Sequence, residues 1–479
     1  MSIAKNFVRN TKWNSLIVLY NILIQFSQLT LLTYILTVQE MGVVGVIAIF
    51  LGIYSIFTDF GLGRAIIQDE NFDQTKLSSA LWIGIFASII FSLIFLLCSP
   101  LISEVFNYDL FKIILYSPPI IIINTIGNPY HSVLQKELMF KEITKINFFA
   151  NSVSFVSVLM FAWFDHGPIS IIYGNILMSS INTLGYIYYY PLTLEAPIKF
   201  SWIQIKPYVS FGLYQTGERL IGILRYHFDK FLIGAFLGLE VLGVYNIAWN
   251  ILIMPISKLN PILLKVAYPV FAKIKANENA LHKYYASSIK AVALINFPIL
   301  CGISIVAHEF ISIFYKPEYE LAGYMIVLLS LAFYNSVIGS PAGTIIVAKG
   351  QAKVSFRWNL VYILITVITS YIFVTLYPQI DTVLYARILL TYFVGIYIHR
   401  IVYRVSGFNI LELMPFLLKL AFLCFIMFKF TNLLFSWLII SDIFVLFVLK
   451  VLTGIVIYIV GIYILFKKEF FDIYKLVKK

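Results

Sequence analysis

The residues best suited to chemistry lie together on one apolar stretch, 207–229, which carries Glu218, Arg219, Arg225, His227 and Asp229. If that stretch is helical, positions 218, 222, 225 and 229 share one face and read Glu, Gly, Arg, Asp. Gly222 leaves room beside the charges. Two arrangements satisfy this pattern. In one, Arg219 and Arg225 form a cationic wall for an anionic ligand, while Glu218 exchanges with a cation or proton and Asp229 pairs with Arg225. In the other, the acids neutralise the arginines and the network is purely structural. Asp59 and Arg64 flank a glycine-rich string, Asp59-Phe-Gly-Leu-Gly63, and Lys258 lies between Pro255 and Pro261. Arg64 and Lys258 are further candidate contacts for an anion, and Asp59 is a candidate coupling or ion-pair group. Lys419 and Lys450 either line a groove for a lipid's charged head or snorkel to an interface. Gln25, Gln28, Asn124, Tyr214 and Gln215 are uncharged candidates for sugar hydroxyls, with hydrogen bonds to a neighbouring helix as the alternative use of each. No catalytic constellation accompanies them. Cys98, Cys301 and Cys424 sit in apolar runs without metal or redox spacing, and no Walker-type glycine loop is present. No metal and no cofactor is expected.

Charges held on apolar stretches need a particular solvent. The chain of 479 residues is 61% hydrophobic and only 12% charged, with a mean hydropathy of +0.90. Soluble domains carry about 25% charged residues, and a water-soluble fold could not cover this much apolar surface. The composition excludes a soluble enzyme, a secreted disulfide scaffold and a disordered regulator. It predicts an all-α polytopic membrane protein. Spans of about 20 residues are expected near 14–37, 42–63, 78–101, 111–132, 146–164, 169–191, 207–229, 239–270, 287–307, 320–348, 354–377, 382–403, 413–430 and 442–466. The runs are too long, and too little alternating, for a β-barrel. The first run is too long for a cleaved signal and reads as a permanent helix.

Fourteen spans place both termini on one side, and basic residues identify that side. The side of the termini collects 25 Lys and Arg, the opposite side 5, and the spans the remaining 5. This predicts a cytoplasmic-membrane protein with both termini inside. Net charge divides into +15 inside, −6 outside and +3 within the spans. Most of the overall +12 is therefore topology rather than a signal for nucleic acid, which is not an expected partner. The +3 within the spans points to an anionic lipid head.

Two segments recur. Leu36-Thr-Val-Gln-Glu-Met-Gly-Val43 joins spans one and two, and Leu237-Gly-Leu-Glu-Val-Leu-Gly-Val244 joins spans seven and eight. Ile126-Gly-Asn-Pro-Tyr-His-Ser-Val-Leu134 in span four resembles Ile338-Gly-Ser-Pro-Ala-Gly-Thr-Ile-Ile346 in span ten. Both matches are six spans apart. They predict two six-helix lobes, 1–191 and 207–405, related by a pseudo-two-fold axis along the membrane normal, with a substrate path between them. Residues 192–206 form a cytoplasmic linker, and 406–479 add two helices and a basic tail. Pro129 and Pro341 stand at matching places and are read as hinges or as static kinks.

The string Asp59-Phe-Gly-Leu-Gly-Arg-Ala-Ile-Ile-Gln68 resembles the second-helix signature of bacterial polysaccharide exporters. Phe211-Gly-Leu-Tyr-Gln-Thr-Gly-Glu-Arg219, Asp229-Lys-Phe-Leu-Ile-Gly-Ala-Phe-Leu-Gly238, Leu242-Gly-Val-Tyr-Asn-Ile-Ala248 and Pro269-Val-Phe-Ala272 carry the same likeness. The sequence is similar to the Wzx-type flippases, in the branch of colanic acid and teichuronic acid exporters. Those belong to the superfamily of multidrug, oligosaccharidyl-lipid and polysaccharide exporters. The resemblance implies translocation of a polyprenyl-diphosphate-linked oligosaccharide, by alternating access, for cell-surface polysaccharide synthesis. The diphosphate would meet Arg219, Arg225, Lys258 and Arg64. Membrane lipids, a polysaccharide polymerase and glycosyltransferases are further expected partners. The competing readings are a cation-coupled drug exporter of the same fold, a membrane-embedded glycosyl polymerase or ligase, and a scaffold for synthesis enzymes. A drug exporter expects an acid-rich lumen, and a polymerase expects a large outward loop; the sequence has neither.

Overall fold

In a computed structural model of the protein, the described residues are 3–59, 63, 66, 67, 69, 73–190, 201–265, 267–438 and 440–467. Among them every regular element is helical. The chain divides into two compact units, Met1–Gly243 and Val244–Lys479. The first contains α1 (Ile3–Ile35), α2 (Val38–Asp59), α3 (Gln74–Leu97), α4 (Ser99–Phe106), α5 (Phe111–Tyr116), α6 (Pro118–Lys136), α7 (Phe140–Phe161), α8 (Ile169–Tyr189) and α9 (Trp202–Leu232). The division falls early in α10 (Leu239–Lys265). The second unit continues with α11 (Ala267–Ile274), α12 (Glu278–Ile305), α13 (Ala307–Phe314), α14 (Leu321–Gly339) and α15 (Ala342–Ala348). It ends with α16 (Ala352–Leu376), α17 (Ile380–Ser406), α18 (Met414–Trp437) and α19 (Ile443–Leu465).

Each expected span coincides with one of these helices or with a consecutive pair. Among the described residues, eleven stretches are long and apolar enough to cross a membrane by length and composition. The other three expected spans have identifiable reasons for falling short. Residues 111–132 are cut at Ser117 by the Pro118-Pro119 pair, which starts α6 as a new helix. Helix α8 carries Ser170, Asn175, Ser179, Ser180, Asn182 and Thr183. Helix α9 carries the charge cluster.

Local chemistry sets the helix ends. Thr37 and Glu40 form a reciprocal capping box at the start of α2: the Thr37 N–H donates to Glu40 Oε2 at 2.8 Å, and the Glu40 N–H donates to Thr37 Oγ1 at 3.2 Å. Asp73, Asn277 and Asp442 cap α3, α12 and α19 by accepting from backbone N–H groups in the first turn. The position matching Thr37 in the recurrent segment is Gly238, whose φ of +91° closes a π-helical turn over Ile233–Leu237. A side chain there would be strained, so the cap of α2 could not simply be copied.

The same helix pairings recur in both units. In the first, α3 packs on α6, α6 on α8 and α7 on α8; in the second, α12 packs on α14, α14 on α17 and α16 on α17. In span terms, both units pair third with fourth, fourth with sixth and fifth with sixth. A side chain bridges each middle pairing. Thr183 Oγ1 donates to the Ile123 carbonyl at 2.9 Å, and Asn335 Nδ2 donates to the Thr391 carbonyl at 2.5 Å. Gly127 and Gly395 admit these groups by lacking a side chain. The two prolines differ in use: Pro129 is buried within α6, whereas Pro341 precedes α15 at a break after α14.

The recurrent segments also meet each other. A Cβ on Gly42 would overlap the Leu239 carbonyl oxygen, and one on Gly243 would stand 2.5 Å from the Val38 carbonyl oxygen. The contact is reciprocal, since Gly42 and Gly243 hold matching positions, as do Val38 and Leu239. Glycine at both crossing points lets backbone meet backbone, which no other residue permits at this separation.

Candidate functional site

Helix α9 has two faces with different surroundings. One packs on α2: a Cβ at Gly52 would lie 2.9 Å from His227 Nε2 and 3.4 Å from Ile223 Cγ2. Thr216, Lys230 and Gly234 follow on that side at helical spacing, and all are buried. The other face holds Gly222 and Arg225. A Cβ added to Gly222, or to Gly217, meets no atom within 4 Å. The charged face is therefore open, and its glycines leave space rather than fit a neighbour. Arg219 and Arg225 are half-buried, and each is engaged by a partner.

Toward the end of α9 the surroundings close. Asp229 is 2% exposed and Lys230 3% exposed, and both are engaged by partners. Lys230 is expected among the outward-side charges, and its burial makes it part of the same cluster. The signal was its position one residue beyond the expected span end. Arg64 lies outside the described residues. The side chains of Asp59, Tyr214, Gln215 and Glu218 lie outside the described part of their helices.

The remaining candidates are dispersed. Gln25 on α1 is exposed and Gln28 half-buried; Asn124 on α6 is half-buried and makes no side-chain hydrogen bond among the described residues. Polar groups of α1 and α7 do bond each other: Asn151 Nδ2 donates to Asn21 Oδ1 at 2.8 Å, and Tyr20 and Ser152 share a hydroxyl contact. Lys258 is half-buried in α10 between two in-helix prolines.

In the second unit Lys419 is exposed on α18. Lys450 is not free for a ligand: its Nζ donates to Glu309 Oε1 of α13 at 2.5 Å, with both side chains 11% exposed. Sequence reasoning placed Glu309 in an outer loop and so missed the pair that fastens α19. It also missed Arg387, whose guanidinium lies 4.8 Å from the centre of the Trp249 ring. Trp249 is buried and packs against Phe333. The signal was that Arg387 falls inside the expected span 382–403. A cavity of about 930 Å³ opens among α12, α14, α17 and α18, with Cys301, Cys424 and His399 in its wall. All three cysteines are free thiols. No cluster suited to a metal ion occurs among the described residues.

Comparison with known proteins sets this geometry in a family. Residues 31–324 match the family described as polysaccharide biosynthesis protein. The chain is 28% identical to the teichuronic acid biosynthesis protein TuaB of Bacillus subtilis (strain 168) over 359 residues, 75% of this chain and 74% of that one. It is 26% identical to the lipopolysaccharide biosynthesis protein WzxC of Escherichia coli (strain K12) over 360 residues, 75% and 73% of the two chains. Its fold matches that of the lipid II flippase MurJ in an inward closed conformation with a TM-score of 0.78, covering 95% of this chain and 98% of that one at 14% identity. It also matches an inward-facing multidrug resistance MATE family transporter of the MOP superfamily, with a TM-score of 0.64 over 82% and 96% of the chains at 14% identity. The chain is a multi-pass membrane protein with the helical architecture of those transporters, and it belongs to the polysaccharide biosynthesis protein family.

Proposed function

We propose that the protein is a flippase that carries polyprenyl-diphosphate-linked oligosaccharide units across the bacterial cytoplasmic membrane for cell-surface polysaccharide synthesis. The observation that carries this reading is the open basic face of α9 in a chain of this family. Arg225 stands beside Gly222, where a side chain would meet nothing within 4 Å. A guanidinium suits a diphosphate because its fixed fork of donors matches phosphate oxygens in pairs. Arg219, Arg225 and Lys258 hold the diphosphate, with Arg64. Gln25, Gln28, Asn124, Tyr214 and Gln215 contact the sugar. Glu218, Asp229 and Asp59 balance or couple charge. The polyprenyl tail stays in lipid along α18 and α19, where Lys419 is exposed. Lobes 1–191 and 207–405 alternate access, with Pro129 and Pro341 as hinges. Both termini lie in the cytoplasm, as the excess of basic residues on that side supports.

The reading excludes chemistry on the cargo, so the protein is not an enzyme in this scheme. A polymerase and glycosyltransferases act before and after it. The test is export of lipid-linked saccharide in vesicles from cells lacking the native protein. The wild-type chain should restore export, and Arg225→Ala should abolish it while inserting normally. Normal export by Arg225→Ala would make the network structural. Failure of the wild-type chain to move any polyprenyl-linked saccharide would remove the function itself.

A further inference from the structure

The cavity of the second unit has no part in the scheme above, and its wall is chemically uneven. Three polar side chains of the wall donate to backbone carbonyls of their own surroundings. Ser304 donates to the Leu300 carbonyl, Ser330 to Val327 and Asn335 to Thr391. Between them the wall is Phe297, Val327, Ile338 and the α18 stripe of Leu417, Ala421 and Phe425. Such a largely apolar surface suits a hydrocarbon chain. Helix α18 turns a different face to its neighbour: Gly454 and Gly461 of α19 pack against Met427 and Leu423. The cavity is therefore separate from the contact between the last two helices.

One end differs. His399 is 8% exposed, lines the cavity, and has no hydrogen-bond partner on either ring nitrogen. A buried imidazole with both nitrogens unsatisfied costs free energy unless something supplies an acceptor. Its chain neighbour Arg400 also lines the cavity, is exposed at the mouth, and has no ion-pair partner among the described residues. The opposite end is marked by Lys429, with no buried polar group beside it in the wall. From Met414 to Lys429 the α18 wall runs about 22 Å at 1.5 Å per residue. That exceeds the roughly 15 Å of one leaflet's hydrocarbon, half of a core about 30 Å thick.

We propose that this cavity is a binding site for one acyl chain of an anionic bilayer phospholipid, with its phosphate held by Arg400 and His399. The chain lies along α18 and the head sits at the Arg400 end. That end belongs to the basic, cytoplasmic side in the topology proposed above. The donors left unspent there complement an anionic phosphate, and the apolar stripe of α18 complements the chain. The site is distinct from the basic face of α9 and does not require the cargo to be bound.

The test uses the full-length chain, purified in detergent and titrated with phosphatidylglycerol or phosphatidylcholine under native mass spectrometry. One phosphatidylglycerol should bind in preference to phosphatidylcholine. Arg400→Gln should weaken that binding about tenfold, the loss expected for one charge-assisted hydrogen bond. Arg404→Gln, on the same helix but outside the cavity wall, should leave it unchanged, as should Lys429→Gln at the other end. Ala421→Trp should block the chain while Arg400 remains. Equal binding of the two lipids, or equal losses from Arg400→Gln and Arg404→Gln, would overturn the site. So would undecaprenyl phosphate displacing phosphatidylglycerol with the same Arg400 dependence, because the cavity would then belong to the carrier lipid. None of these results alters the export readout of Arg225→Ala, so the two ideas fail separately.

Discussion

A methyl group at Gly243 has nowhere to go. Built there, it stands 2.5 Å from the Val38 carbonyl oxygen and 3.0 Å from the Gly42 nitrogen, both backbone atoms. Real Cβ atoms essentially never come closer than 3.0 Å, so Gly243→Ala must part the segments by about 0.5 Å. No rotamer change can absorb this, because neither obstacle is a side chain. Overpacking of this kind costs about 1–3 kcal/mol, which shifts a two-state equilibrium about 5–150-fold. In the proposed topology these segments join spans on the outer side, so parting them should loosen their contact there. Gly243→Ala should therefore favour opening. The assay places a single cysteine at Leu239, which is 4% exposed, in a chain with Cys98, Cys301 and Cys424 replaced by Ala. Labelling by a membrane-impermeant maleimide should rise with Gly243→Ala. It should stay at the parent rate with Gly217→Ala, where a methyl group meets nothing within 4 Å. Unchanged labelling in Gly243→Ala, or an equal rise in Gly217→Ala, would refute the argument.

Two further outcomes follow from charge. A diphosphate moving outward from the negative side of an inside-negative membrane gains about 2.3 kcal/mol per charge per 100 mV, or roughly 4–5 kcal/mol for two charges. Export in vesicles should collapse when the potential is clamped to zero, and export that persists would remove voltage as the drive. Lys450→Ala leaves Glu309 buried without its cation and should cost about 3–5 kcal/mol, read as a lowered thermal midpoint. Replacing both groups with apolar residues of similar volume should recover most of that loss, and a wild-type midpoint for Lys450→Ala would show the pair to be irrelevant.

The helices were legible because lipid-facing sequence must be long and apolar, and that leaves a strong mark. The glycine repeats were legible for a related reason, since a backbone crossing such as Gly42 on Leu239 tolerates one residue type. What stayed hidden depends on partners far apart in the chain. Nothing near Glu309 announces Lys450, 141 residues later, so an ion pair looked like a loop acid and a lone span lysine. His399 reads as an ordinary residue near a helix end until α12, α14 and α18 wall in the cavity it lines, with Arg400 exposed at the mouth. Helix breaks were also hard to place: Pro129 and Pro341 look alike in sequence, yet one is buried within α6 and the other precedes a new helix.

The two readings of the α9 charge cluster make different predictions for its buried and its half-buried members. Lys230 lies on the face that packs toward α2 and is 3% exposed. Its side chain is enclosed, so Lys230→Met acts on the fold and lowers stability by about 0.5–3 kcal/mol. Arg225 is half-buried beside Gly222, where a side chain meets nothing within 4 Å, so removing it leaves no enclosed void and costs less stability than removing a fully buried charge. The two substitutions should therefore split. Lys230→Met lowers the thermal midpoint, and export falls only in proportion to folded protein. Arg225→Ala keeps the midpoint and loses export per folded molecule. If the two variants instead lose stability together, with export following it, the charges of α9 are one structural network and the cargo is held elsewhere.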